Sequence, residues 1–402
     1  MSGKRFLLFI LVVTFILGIL MPTSFNGKLY GKIMELLVWL LVSAFIGVLL
    51  YYFRINKKSM WISLWLIIYL FSIGIFRELG GGFDISLAIA APFVCIVLVL
   101  SLSFDRIASL KVEKFLHLFI ILSATVNFGI IAKAGFIIKL LHFFYTQYYP
   151  EALQYSVDLG KPVFLFGVHS YASFYYMLFF LLCYFTYKKN KKRLFWYYEW
   201  ILLGYTVLLR SSSSLFFGCY MAVILVYQIF KEKKAVSLIL LPICLSYLIL
   251  KYDLISKYFL NLTSKNNGIL ARYNFSSGLF DENWKIISSS LGIGFTIARE
   301  KMLYYGDSSY IYYFTLGNII LLTLFYTLLI CFLFRNVRKF YAVHLSISIL
   351  CVEFAVNAST TYRFIAVLLF CVLYLKILDG RGEQEINRYE KYSSCKNMCR
   401  RD

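Results

Sequence analysis

Five arginines, Arg77, Arg210, Arg272, Arg299 and Arg363, share one placement. Each stands beside or between long apolar runs, on the side that the main Lys and Arg clusters avoid. The guanidinium is a rigid fork of donors that engages two phosphate oxygens at once and keeps its charge at any physiological pH. A phosphate group held at a membrane surface is therefore the ligand this set fits. One such arginine alone is equally explained by an interfacial side chain that snorkels to water, so the argument rests on several converging on one face. The sharpest case is Leu208 to Leu215, reading Leu-Leu-Arg-Ser-Ser-Ser-Ser-Leu, where Arg210 ends one apolar run and a hydroxyl run leads into the next. His344 and Glu353 fall inside an apolar run, where ionisable groups either line a functional cavity or pair within the bundle.

The elements that must position these residues are membrane helices. Of 402 residues, 61% are hydrophobic and 15% charged, and the mean hydropathy is +0.74. A soluble fold could not bury that much apolar surface. Apolar segments recur near 6–22, 33–53, 60–76, 85–103, 115–137, 164–187, 194–209, 215–230, 235–250, 310–334, 340–356 and 364–378, which predicts twelve spans. The run from Phe6 follows Lys4 and Arg5 as a signal peptide would, yet no small-residue cleavage site follows Pro22, so it is read as the first helix. The fold class expected is an all-α polytopic membrane protein. One transmembrane domain covers 1–378, and a tail covers 379–402.

The net charge of +21 has its own explanation. With the N-terminus in the cytoplasm, Arg54 to Lys58, Asp105 to Lys114, Lys188 to Arg193, Lys231 to Lys234, Arg335 to Lys339 and the tail after Asp379 all fall on the cytoplasmic side. Each carries at least three Lys or Arg, which is the positive-inside pattern. The basicity thus sets orientation, and a nucleic-acid partner is set aside. Seven of the nine cysteines sit in predicted spans and Cys395 and Cys399 in the tail, so the outer loops carry no disulfide framework. No metal is expected either, because Cys395 and Cys399 lack the second ligand pair of a zinc site. Gly292-Ile293-Gly294 is not a nucleotide loop, since no strand precedes it and the third glycine of that fingerprint is missing.

Two outer connections are long, 138–163 and 251–309, and loops of that length usually serve a function. The first holds Tyr145, Tyr148, Tyr149, Pro150 and Glu151; the second mixes charged, amide and hydroxyl side chains with aromatics. Rings beside hydroxyls and amides suit the alternating apolar and polar faces of a sugar. For most of the 33 tyrosines, interfacial preference is sufficient reason.

The arginine–serine junction, followed after a further helix pair by a large outer loop, resembles the Wzy-type O-antigen polymerases and the related O-antigen ligases. Arg272, Trp284 and Gly292-Ile293-Gly294 follow the family's order of Arg, Trp and Gly-x-Gly within that loop. The segment from Pro162 to Phe174 is similar to the family's start of a helix through a glycine. Asp307-Ser308-Ser309-Tyr310 leading to Thr315-Leu316-Gly317 resembles its His-Asn-x-x-Leu pattern, with Asp307 where ligases carry histidine. The similarity spans about residues 160–378 and lives in the order of weak motifs.

The resemblance implies a GT-C-like bundle of about twelve helices with a large extracytoplasmic loop, in the cytoplasmic (inner) membrane, both termini cytoplasmic. Its activity would be metal-independent and cofactor-free: a glycan on undecaprenyl diphosphate is transferred to the terminal hydroxyl of a lipid-linked repeat unit, building a lipopolysaccharide chain. Partners would be lipid-linked oligosaccharides, membrane lipids and a chain-length regulator. Arg210 and Arg272, then Arg299 and Arg77, and last Arg363, would neutralise the diphosphate leaving group. Asp307 and then His169 would take the hydroxyl proton, with Asp281 or Glu282 behind them. Asp307 alternatively caps the helix that begins near Ser309. A lipid-linked oligosaccharide flippase and an O-antigen ligase are the competing readings. A flippase generally shows short loops and internal repeats, and no repeat between the two halves is visible here.

Overall fold

The apolar runs fold as helices because in lipid each backbone amide must bond within its own segment. The computed structural model describes residues 3–21, 31–78, 87–104, 110–145, 150–232, 292–295 and 308–398. The first four helices are α1 (Gly3–Leu20), α2 (Gly31–Tyr52), α3 (Lys57–Glu78) and α4 (Leu87–Leu100), followed by α5 (Glu113–Ile131), α6 (Gly135–Tyr145) and α7 (Pro150–Asp158). After a 3-10 turn at Phe164–Phe166 come α8 (His169–Asn190), α9 (Arg193–Leu208) and α10 (Ser212–Glu232), and finally α11 (Ser309–Asn336), α12 (Lys339–Ala355) and α13 (Tyr362–Met398). Two short strands, β1 (Arg54–Ile55) and β2 (Leu102–Ser103), form one antiparallel pair with Arg54 opposite Ser103.

Eleven of the expected spans coincide with helices, and the ninth, 235–250, lies outside the described residues. Among the described residues, four helices are long and apolar enough to cross a membrane: Lys57–Phe76, Glu113–Ile131, Ser213–Glu232 and Ser309–Asn336. The chain is thus largely helical, with apolar helices of membrane-crossing size. Two stretches outside the expected spans also carry helix. The connection 138–163 is mostly helical, carrying the end of α6 and all of α7. The stretch from 379 continues α13 to Met398.

Burial is organised around two helices. Residues 172–186 of α8 are buried on every face, as are 361–375 leading into and along α13. The helices around them present apolar side chains outward, with Trp61 at 73%, Phe128 at 74% and Val223 at 65% exposure. A surface of this kind suits hydrocarbon and would drive aggregation in water.

Contacts at one end tie the basic turns together. Arg335 donates to Ser59 Oγ at 2.8 Å and to the carbonyls of Leu100 and Leu102 at 2.8 and 2.9 Å. Lys192 pairs with Glu113 at 2.6 Å, and Lys191 with Glu232 at 2.8 Å. Arg338 pairs with Asp379 at 3.2 Å, and Lys189 donates to the carbonyl of Leu378. All six connections assigned to one side therefore have a residue in or beside them at this end, which we term the basic end.

Candidate functional site

At the opposite end of α8 to α10, the turn between α9 and α10 carries Arg210 outward. Its φ of 49° is in the left-handed region, which costs a non-glycine residue about 1–2 kcal/mol. The serine run that follows is architectural. Ser211 N–H donates to Ser214 Oγ at 2.9 Å and Ser214 N–H to Ser211 Oγ at 3.2 Å, a reciprocal cap at the start of α10. The exposed guanidinium therefore stands on a fixed corner. Neither Arg210 nor Lys161 forms an ion pair among the described residues.

Lys161 is a candidate that sequence reasoning did not single out. It follows α7, its side chain is buried, and its ammonium lies 4.7 Å from the centre of the Tyr155 ring. Burial, and then the positive charge of Arg210, hold its pKa below the ordinary lysine value. Two cations acting on each other, neither ion-paired among the described residues, form a pole that an anion would stabilise. Forty-nine positions separate the two, so no spacing rule could have paired them; the only local signal was a lysine next to Pro162 in an outer connection.

The start of α8 is locked by a buried polar network. Asn127 accepts from Phe164 N–H at 2.9 Å and donates to Tyr176 Oη at 2.8 Å, while Tyr176 donates to the carbonyl of Pro162 at 2.7 Å. Gly167, with φ of 76°, turns the chain so that α8 begins at His169. His169 is half-buried at this helix terminus. Tyr171, half a turn further, donates to the carbonyl of Asn357 at 3.0 Å, bringing α8 against the turn between α12 and α13.

Glu353 sits beside that turn, fully buried. Its carboxylate accepts from Tyr326 Oη at 3.0 Å, from Ser359 N–H at 2.9 Å and from Ser359 Oγ. Ser308 Oγ donates to the Glu353 carbonyl at 3.0 Å, and Ser309 Oγ donates to Asn357 Oδ1 at 3.1 Å. The start of α11, the end of α12 and the start of α8 thus meet in one polar cluster. His344 belongs elsewhere: its Nδ1 is 2.8 Å from Tyr220 Oη, and its ring packs on Phe340.

Of the residues expected to do chemistry, Arg210 and His169 lie at this end. Arg272, Arg299, Asp307, Asp281 and Glu282 lie outside the described residues; the backbone of Arg77 is described within α3 and its side chain is not. The cap of α11 is Ser308, whose side chain accepts from Tyr310 N–H, so the capping role considered for Asp307 belongs to its neighbour. Arg363 is fully buried. It donates to the carbonyls of Leu165 at 2.9 Å and Ile19 at 3.3 Å, and its guanidinium stands 5.2 Å from the Phe166 ring centre. That geometry makes it a clasp between α13, α1 and the 3-10 turn, and removes it from direct phosphate contact.

The Gly-x-Gly segment inserts into the bundle. Ile293 N–H donates to Thr315 carbonyl at 3.0 Å and Gly294 N–H to Leu316 carbonyl at 2.8 Å, just where α11 is interrupted at Gly317 and Asn318. Gly292 and Gly294 have φ of 108° and 61°. A Cβ on Gly294 would lie 2.5 Å from the Leu70 carbonyl oxygen, and one on Gly292 2.5 Å from that of Leu316. Only glycine allows this approach, and Phe295 then packs on Phe71 and Phe93. The irregular backbone is buried in protein, where such breaks are tolerated. Among the described residues, no three His, Cys, Asp or Glu side chains gather as metal ligands. Compared with family models, curated proteins and solved structures, the chain matches none.

Proposed function

We propose that this chain is an inner-membrane glycan polymerase that extends O-antigen or a similar surface polysaccharide from lipid-diphosphate-linked repeat units. The observation that supports it most is the pole formed by Arg210 and Lys161 at the end of the bundle away from the basic turns. In this reading both termini and the basic end are cytoplasmic, the bundle has twelve spans, and Arg210 faces the extracytoplasmic side. A chain-length regulator is a natural partner for such an activity.

The reaction needs no redox partner. A terminal hydroxyl oxygen of the acceptor glycan attacks the anomeric carbon of the donor glycan, and the bond from that carbon to the diphosphate oxygen breaks. The electron pair leaves with undecaprenyl diphosphate, whose developing charge Arg210 and Lys161 neutralise, with Arg272, Arg299 and Arg77 as further candidates. The hydroxyl proton passes to Asp307 or His169. Glu353, held by three hydrogen bonds, is a positioning residue: it fixes the turn that receives Tyr171 and the start of α11.

One observation favours a second reading. The break in α11 with an inserted outer segment is of the kind transporters use at their substrate sites, which keeps a lipid-linked oligosaccharide flippase in view. Gel banding of lipopolysaccharide separates the two. A deletion strain carrying one repeat unit on its core, restored to a ladder by the wild-type gene and not by Arg210→Ala at equal membrane levels, is the expected outcome. A deletion that leaves bare core would overturn the polymerase reading in favour of a flippase or ligase.

A further inference from the structure

The basic end holds a feature that neither polymerisation nor orientation in the bilayer requires. Two adjoining cavities of about 150 and 190 Å3 lie among α8, α9 and α10 and share Tyr187, Gln228 and Glu232. Lys188, Lys191 and Lys231 line the larger, and Arg193 lines the smaller. Glu232, the carboxylate among the described lining residues, is engaged by Lys191 at 2.8 Å and by Tyr187 Oη at 2.5 Å. Lys188, 3.7 Å from the Phe340 ring centre, is left with the like charges of Lys231 and Lys191.

Gln228 gives independent support. Its side chain is 6% exposed and lines both cavities, and neither amide atom has a hydrogen-bond partner among the described residues. The buried Glu199 carboxyl beside it interacts with the Gln228 amide, yet both groups remain without a well-formed hydrogen bond. An unused buried donor and acceptor in a cation-lined cavity describe a place for a polar anionic ligand. Tyr197 and Tyr227, at the cavity walls, are more than half exposed. One turn deeper along the same helices, Trp200 and Val223 face outward. The opening is therefore toward the membrane, and a ligand with apolar chains fits it.

The geometry points to a binding site for the phosphate of an anionic glycerophospholipid, held by Lys188, Lys231 and the Gln228 amide, with its chains along the outer faces of α9 and α10. Basic pockets between membrane helices take acidic headgroups in this way. The site is independent of the chemistry at the Arg210 end and would serve a polymerase or a flippase alike.

Native mass spectrometry of the full chain, with equal phosphatidylglycerol and phosphatidylcholine supplied, tests it. Wild type is expected to retain phosphatidylglycerol preferentially. Lys231→Met should weaken that preference about fivefold, the effect of about 1 kcal/mol per cation at an acidic surface. Gln228→Met should weaken it as well, whereas Lys231→Arg and the control Lys192→Met, outside both cavities, should not. Lys231 is exposed, so its replacement leaves folding intact, which the unfolding temperature checks. Equal retention of the two lipids, an unchanged preference in both Met variants, or the same loss in Lys192→Met overturns the proposal. Displacement of the lipid by millimolar inorganic phosphate would assign the site to a soluble phosphate and overturn the lipid assignment.

Discussion

At the basic end, several cations have found partners, Lys192 on Glu113, Lys191 on Glu232, Arg338 on Asp379 and Arg335 on two carbonyls, while Lys188 and Lys231 line a cavity. At the other end, Arg363 is likewise occupied, buried between carbonyls and rings, but the positive charges of Arg210 and Lys161 act on each other and neither forms an ion pair among the described residues. The three arginines Arg210, Arg335 and Arg363 have the same chemistry and different consequences. Paired or buried, the guanidinium joins helices; exposed on a strained turn beside a second cation, it is available to an anion. Which it does is decided by what the fold sets opposite it.

This contrast can be broken at several positions. The largest effect is expected at Arg210. Removing one charged donor to a developing anion typically lowers a rate by about 100- to 1000-fold, and Arg210→Ala should do so without lowering the unfolding temperature. Arg210→Gly should lose activity equally while gaining about 1 kcal/mol in stability, because glycine accepts the left-handed turn. A parallel fall in activity and stability would place Arg210 with Arg363.

Next is Arg363→Met, which leaves two carbonyls unsatisfied in the core at about 1–3 kcal/mol each and should lower the yield of folded protein in size-exclusion profiles. Gly294→Ala should act similarly, since its Cβ meets backbone at 2.5 Å and no side chain can move aside. Glu353→Ala should cost about 1–3 kcal/mol by stranding Tyr326 and Ser359, whereas Glu353→Gln should retain most of the stability. A Glu353→Gln variant that is stable yet fully inactive would move Glu353 from positioning into the chemistry. The smallest effect belongs to Lys192→Ala: its exposed pair with Glu113 is worth about 0–1 kcal/mol, and neither polymer length nor unfolding temperature should change.

Much of the framework was legible in the sequence because span length and positive charge are local signals. The clusters at Arg54, Lys188, Lys231 and Arg335 were placed on one side by parity alone, and their contacts now join that end. The connection 138–163 was read as a long loop, and its described residues are largely helical. α6 and α7 are only 11 and 9 residues long, below the window that detects a span, and Pro150 interrupts the polar stretch. Arg210 was singled out as a candidate from its position after an apolar run. Its partner Lys161, the clasp made by Arg363 and the insertion of Gly292 to Phe295 all depend on contacts between distant elements. The four serines after Arg210 include a helix cap, a role that the Ser-x-x-Ser spacing of 211 and 214 could have indicated.

The most direct test uses the purified chain in lipid with a single lipid-diphosphate-linked repeat unit, products being resolved by mass spectrometry. The account predicts chains of two and more units with release of undecaprenyl diphosphate, and their loss by about 100-fold or more in Arg210→Ala. Undiminished polymer from Arg210→Ala, or no product beyond the single unit from folded wild type, would contradict it.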